Sequence, residues 1–116
     1  MSDVEMVLAA FVAGARPDRA LTKAAVKESL ARLVAVAPGR SVEVRIPPYS
    51  VVQAVEGARH RRGTPPAVVE CDARTWLELA TGALAWPDAV ADGRVRASGE
   101  RSDLSPYLPL YPPQAP

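Results

Sequence analysis

Val42-Glu43-Val44-Arg45-Ile46-Pro47-Pro48 is the stretch where the hydrophobic period changes from about 3.6 residues to about two. Val42, Val44 and Ile46 alternate with Glu43 and Arg45, as a strand with one buried face requires, and the two prolines then stop ladder hydrogen bonding. The chain before this strand reads as helix. The apolar residues Val4, Val7, Leu8, Phe11 and Val12 recur at helical intervals, with Ser2 or Asp3 as cap, Glu5 in the first turn and Gly14 as a stop. Arg16-Pro17-Asp18 interrupts the pattern. Thr22 is then expected to cap a second helix, with Leu21 packing back on Val26 as a hydrophobic staple. Its face continues through Leu30, Leu33, Val34 and Ala37, and Pro38-Gly39 ends it.

Beyond Pro48 the chain alternates between strand and helix. Val51, Val52, Ala54 and Val55 favour a second strand closed by Gly57, with a short helix as the open alternative. The loop from Arg59 to Pro66 leads into the strand Ala67-Val68-Val69-Glu70-Cys71. Asp72 is placed to cap a helix with Trp76, Leu77, Leu79 and Ala80 on its apolar face and Gly82 as its stop. A further helix is expected from Pro87 to Gly93, then a strand from Arg94 to Ser98. Ser102 or Asp103 can cap a last short helix bearing Leu104 and Leu108, after which Pro109, Pro112, Pro113 and Pro116 prevent regular structure. This order predicts an α+β fold with a mixed, mostly antiparallel sheet covered by helices on one face. It divides the chain into one domain, residues 1–108, and a Pro-rich tail, 109–116.

The 116 residues, 48% hydrophobic and 23% charged, fit one globular core and leave no room for two enzymatic lobes. A formal charge of +1 supplies no overall pull toward nucleic acid or anionic membrane, so no nucleic-acid partner is expected. The single cysteine, Cys71, cannot form an internal disulfide, and the single histidine, His60, leaves a zinc site short of ligands; no metal and no cofactor are expected. No basic stretch precedes an apolar run at the N-terminus, and no segment has the ~18 apolar residues of a membrane span. The expectation is a cytoplasmic protein without stable membrane insertion.

Each residue that could carry chemistry also has an ordinary structural explanation. Arg59, His60, Arg61 and Arg62 concentrate positive charge and could hold a phosphate or carboxylate; a solvated loop whose arginines pair with nearby acids is the favoured account of them. Cys71 lies at a strand-to-helix junction, where helix N-terminal amides could depress its pKa, yet only His60 is available as a base. Ser50 and Ser98 lack a nucleophile-elbow setting, and no phosphate-binding glycine loop is present. Trp76 and Trp86 can line a pocket or fill a core. No covalent mechanism stands out, and the chain reads as a non-enzyme.

The run Asp72-x3-Trp76-x2-Leu79-x2-Gly82-x-Leu84, followed by Ala89, Gly93, Val95, Gly99 and Leu104, resembles the C-terminal half of the sterol carrier protein 2 superfamily. Arg45-x-Pro47-Pro48, Val52-Gln53, His60-x-Arg62-Gly63-Thr64-Pro65-Pro66 and Val68-Val69-Glu70 narrow the resemblance to the small sterol-carrier-like proteins of actinobacteria. Ser98-Gly99-x-Arg101-x-Asp103-Leu104-Ser105 and Leu108-Pro109-Leu110 add to it. The resemblance implies a sheet and helices enclosing an apolar cavity for lipids, fatty acyl groups or sterols, with binding and transfer but no bond-breaking. Carried over by position, the expected ligand-binding residues are Val42, Val44, Ile46, Val51, Trp76, Leu79, Leu104 and Leu108. Arg59, His60 and Arg62 are the anion-binding candidates. Related domains also form the C-terminal part of mycothiol-dependent isomerases, whose metal-binding helical half is missing here. The alternative is therefore a protein-interaction, accessory or oligomerisation module with a vestigial cavity.

Overall fold

The computed structural model describes residues 2–57 and 67–111. Ser2 accepts a hydrogen bond from the Glu5 amide and starts α1, Asp3–Val12. α2 runs from Arg19 to Val36, one turn longer at its start than the Thr22 cap predicts. Asp18 caps it instead, its carboxylate accepting from the Leu21 amide at 2.9 Å. Thr22 lies on the buried face and its hydroxyl donates to the Asp18 carbonyl at 2.8 Å, the back-bond a mid-helix threonine makes. Leu21 is thus inside the helix, and the expected staple on Val26 has no N-cap to span. The buried stripe of α2 is Thr22, Ala25, Val26, Ser29, Leu30 and Leu33.

β1, Val42–Ile46, and β2, Ser50–Ala54, form an antiparallel hairpin whose turn is closed by the Tyr49 amide on the Ile46 carbonyl. β3, Ala67–Cys71, lies parallel to β1 on its other side, and β4, Val95–Ser98, pairs antiparallel with β3. The sheet order is β2-β1-β3-β4. Between β3 and β4 come α3, Ala73–Thr81, capped by the Asp72 carboxylate on the Thr75 amide, and α4, Trp86–Ala91. Gly82 terminates α3 at φ +84, a left-handed conformation that glycine adopts without strain.

The helices cover one face of this mixed sheet: α2 packs on β2, α4 on β4, and α1 and α3 pack on α2 and on each other. Register assigns Val42, Val44, Ile46, Ala67, Val69 and Cys71 to the covered face, where all six are buried. The other face carries one row of Val51, Arg45, Glu70 and Arg96 across all four strands. Arg45 in this row forms its ion pair with Glu43 on its own strand, at 2.7 Å. Val51, an expected cavity residue, does not point inward. It partners Arg45 on the outer face and is 54% exposed, because the turn starts β2 at Ser50 opposite Ile46 and so sends Val52, not Val51, toward the helices. In the edge strand β4 only Val95 is buried.

Two tight approaches lock the sheet to its surroundings. The Val55 carbonyl accepts from both the amide and the hydroxyl of Ser41, and the Val55 amide donates to Ala37. A Cβ on Gly39 would lie 2.2 Å from that carbonyl oxygen, so only glycine fits the turn between α2 and β1. At the C-terminal end the expected short helix is one 3₁₀ turn, Ser105–Tyr107; Leu104 before it is fully buried, and the Asp103 carboxylate accepts from the Ser105 amide. The chain then crosses the end of α3, where the Leu110 and Tyr111 amides both donate to the Ala80 carbonyl.

Candidate functional site

Five of the residues expected to line an internal cavity are gathered in the core and face no accessible space. Val42, Val44, Ile46, Trp76 and Leu104 have no accessible surface, and Leu79 has 1%. A side chain bordering a void that admits water would keep some surface in contact with it, so the space between sheet and helices is filled at these positions. Trp76 shows how: its indole N–H donates to the Ser29 hydroxyl at 2.8 Å, and Ser29 donates to the Val26 carbonyl at 2.9 Å. Both polar groups are thereby satisfied where no water reaches. Leu108 stands apart, half-buried in a surface pocket of about 250 Å³ beside Leu79, Leu84, Trp86, Pro87 and Pro109. Val51 is on the outer face, as described. Arg59, His60, Arg61 and Arg62 lie outside the described residues.

The larger concavity is on the helical side. A groove of about 880 Å³ opens between the start of α1, the middle of α2, the end of α3 and the C-terminal segment. Leu8, Ala83 and Tyr111 supply its apolar surface with Val4 buried behind them; Ser2, Glu5, Glu28, Arg32 and Thr81 add polar groups. None of the eight expected ligand-binding residues lines it. Val4 and Leu8 face it because α1 presents an i, i+4 pair there, and Glu28 and Arg32 do the same from α2. Tyr111 reaches it because its amide is held by Ala80.

The polar groups of the groove touch one another. Glu28 and Arg32 form a half-exposed ion pair at 3.6 Å, and the Arg32 guanidinium lies 4.1 Å over the Tyr111 ring. The Tyr111 hydroxyl is closed off from solvent and makes no hydrogen bond of ordinary geometry. Burial, and after it the Glu28 carboxylate, push its pKa up, with Arg32 opposing more weakly.

Cys71 behaves oppositely to a nucleophile. Burial first and the Asp72 carboxylate second push its thiol up to about 12, so it stays protonated; the helix N-terminus beside it does not win. Glu78 is held by Arg94 and by Arg74, and Arg94 also donates to the Thr75 hydroxyl, which ties the start of β4 to α3. Among the described residues no group of three or more His, Cys, Asp or Glu is placed to hold a metal ion, and no helix is long and apolar enough to cross a membrane.

A four-stranded mixed sheet covered by helices on one face, with its inward β1 residues and Trp76 fully buried and an open groove on the helical side, defines a small α+β domain without a visible catalytic constellation among the described residues. The family model described as "Bacterial SCP ortholog" matches residues 18–110, and the chain belongs to this bacterial sterol-carrier-like family. None of the curated proteins matches it.

Proposed function

We propose that this chain binds a small hydrophobic molecule in the groove between α1, α2, the end of α3 and Tyr111, and carries it through the cytoplasm without breaking a bond. The observation that carries this reading is the groove itself. Its volume of about 880 Å³ lies within the roughly 300–1,000 Å³ of small-molecule sites, and its lining mixes apolar side chains with polar groups from α1, α2 and α3. Family membership supports a hydrophobic cargo. Burial of the cargo against Leu8, Ala83 and Tyr111 supplies about 25 cal/mol per Å² of apolar surface removed from water. Exchange needs no opening of the core, because the groove is already open to solvent. The filled interior around Trp76 serves as the rigid wall behind it.

Titration with Nile red, a neutral dye, tests the proposal. Uptake should saturate, and Ala83→Trp, which fills the groove from an exposed position, should weaken it by at least about ten-fold. No saturable uptake, or uptake indifferent to Ala83→Trp, would contradict it.

The filled interior also favours a second reading, a protein-interaction or oligomerisation module that carries nothing. A self-associated species by analytical ultracentrifugation at micromolar concentration, combined with no dye uptake, would favour that reading instead.

A further inference from the structure

We infer that the pocket beside Trp86 is the far end of the same binding site, a subsite for the alkyl end of a long-chain cargo, entered when the segment Leu108–Tyr111 lifts off Gly82. The inference rests on the groove reading above and adds where a chain goes once it has entered. The groove of about 880 Å³ and the pocket of about 250 Å³ meet at Gly82, which lines both. The C-terminal segment is the partition between them: Tyr111 lines the groove, whereas Leu108 and Pro109 line the pocket. Their linings differ in chemistry. The groove carries Glu28 and Arg32, but none of the described residues lining the pocket is charged. At about 250 Å³ the pocket also falls below the roughly 300 Å³ at which small-molecule sites begin, so it suits the end of a ligand rather than a whole one.

The partition is weakly held. Leu104 has no accessible surface, yet no residue from Ser105 to Tyr111 is buried. The Leu110 and Tyr111 amides share one acceptor on α3, the Ala80 carbonyl, at 2.8 and 3.2 Å, and the Arg32 guanidinium lies 4.1 Å over the Tyr111 ring. A segment with so few buried groups opens at low free-energy cost. Gly82 keeps the path beneath it clear: a Cβ there would stand 3.5 Å from Pro109, in contact with the segment, and glycine leaves that space unfilled. A chain crossing above the segment would stay in water. One crossing beneath it is buried, which raises affinity roughly four-fold per methylene.

Displacement of Nile red from the full chain by octan-1-ol and dodecan-1-ol, each below its solubility limit, tests the inference, with Ser105→Trp filling the pocket from an exposed position. Dodecanol should bind at least about ten-fold less tightly to Ser105→Trp than to the parent, and octanol within about two-fold of it. Dodecanol, but not octanol, should also speed hydrogen exchange of the Leu110 and Tyr111 amides, because lifting the segment takes them from Ala80. Dodecanol binding that Ser105→Trp leaves undiminished, or Leu110 and Tyr111 amides whose exchange dodecanol does not speed, would overturn the inference and leave the groove standing. Failure of the dye or of both alcohols to bind, or binding that Ala83→Trp leaves undiminished, would remove the groove reading and this inference with it.

Discussion

Ser29 sits between Val26 and Leu30 on the buried face of α2 with no surface exposed, and Trp76 is what makes a hydroxyl tolerable there. Ser29→Ala leaves the indole N–H without an acceptor in a dry core and should destabilise the fold by about 1–3 kcal/mol in urea unfolding. Trp76→Phe removes the donor, so the double variant should lose less than the two single losses added; strict additivity would argue against the bond. Trp76 is recognisable in sequence as core or pocket, but Ser29 reads only as a break in an apolar stripe, and nothing in one dimension pairs residues 29 and 76. Cys71 supplies a second test at this scale. With its thiol raised from 9.0 to about 12, the folded chain should resist thiol reagents at neutral pH and react on unfolding. The stabilisation from keeping this group protonated is complete below about pH 9. It is lost as pH rises toward 12, because the unfolded thiol ionises first, at up to about 1.4 kcal/mol per pH unit. Urea midpoints of the parent and Cys71→Ala should therefore converge or cross above about pH 9, whereas parallel curves would refute the assignment.

At the level of elements, the start of α2 is the place where local chemistry leaves two answers. Asp18 and Thr22 are both capping residues, one turn apart, and Arg19 and Ala20 between them are good helix formers. The structure resolves the choice through burial: Thr22 faces the core and Asp18 faces solvent. Asp18→Ala should then lower stability by about 0.5–2 kcal/mol, the usual effect of a lost N-cap. Thr22→Val, which keeps the shape and strands no donor, should be nearly neutral. The reverse order in thermal or urea unfolding would restore the Thr22 cap. The parity of β2 is ambiguous for a similar reason. Val51 and Val52 are the same residue type, so only the turn at Pro47-Pro48-Tyr49 can decide which faces inward. By contrast β1, β3 and α3 are legible nearly to the residue, because alternation with charges, the Asp72 cap and the Gly82 stop each point to one answer.

For the molecule as a whole, packing separates what sequence pattern merges. An apolar residue that fills a core and one that borders a cavity have the same place in a periodic pattern, which is why Val42, Val44, Ile46, Trp76, Leu79 and Leu104 read as lining a space that the fold has closed. The groove escapes the same reading because it joins Val4 and Leu8 to Glu28 and Arg32 and to Ala83 and Tyr111, segments distant in sequence that meet only after α1 and α3 dock on α2. The central claim is that cargo binds on the helical side and not between helices and sheet. Chemical-shift mapping by NMR during titration with decanol tests it most directly. The perturbed signals should cluster at Val4, Leu8, Arg32, Ala83 and Tyr111 while the methyls of Val42, Val44, Ile46 and Val69 stay in place; perturbation centred on those strand methyls would contradict the account.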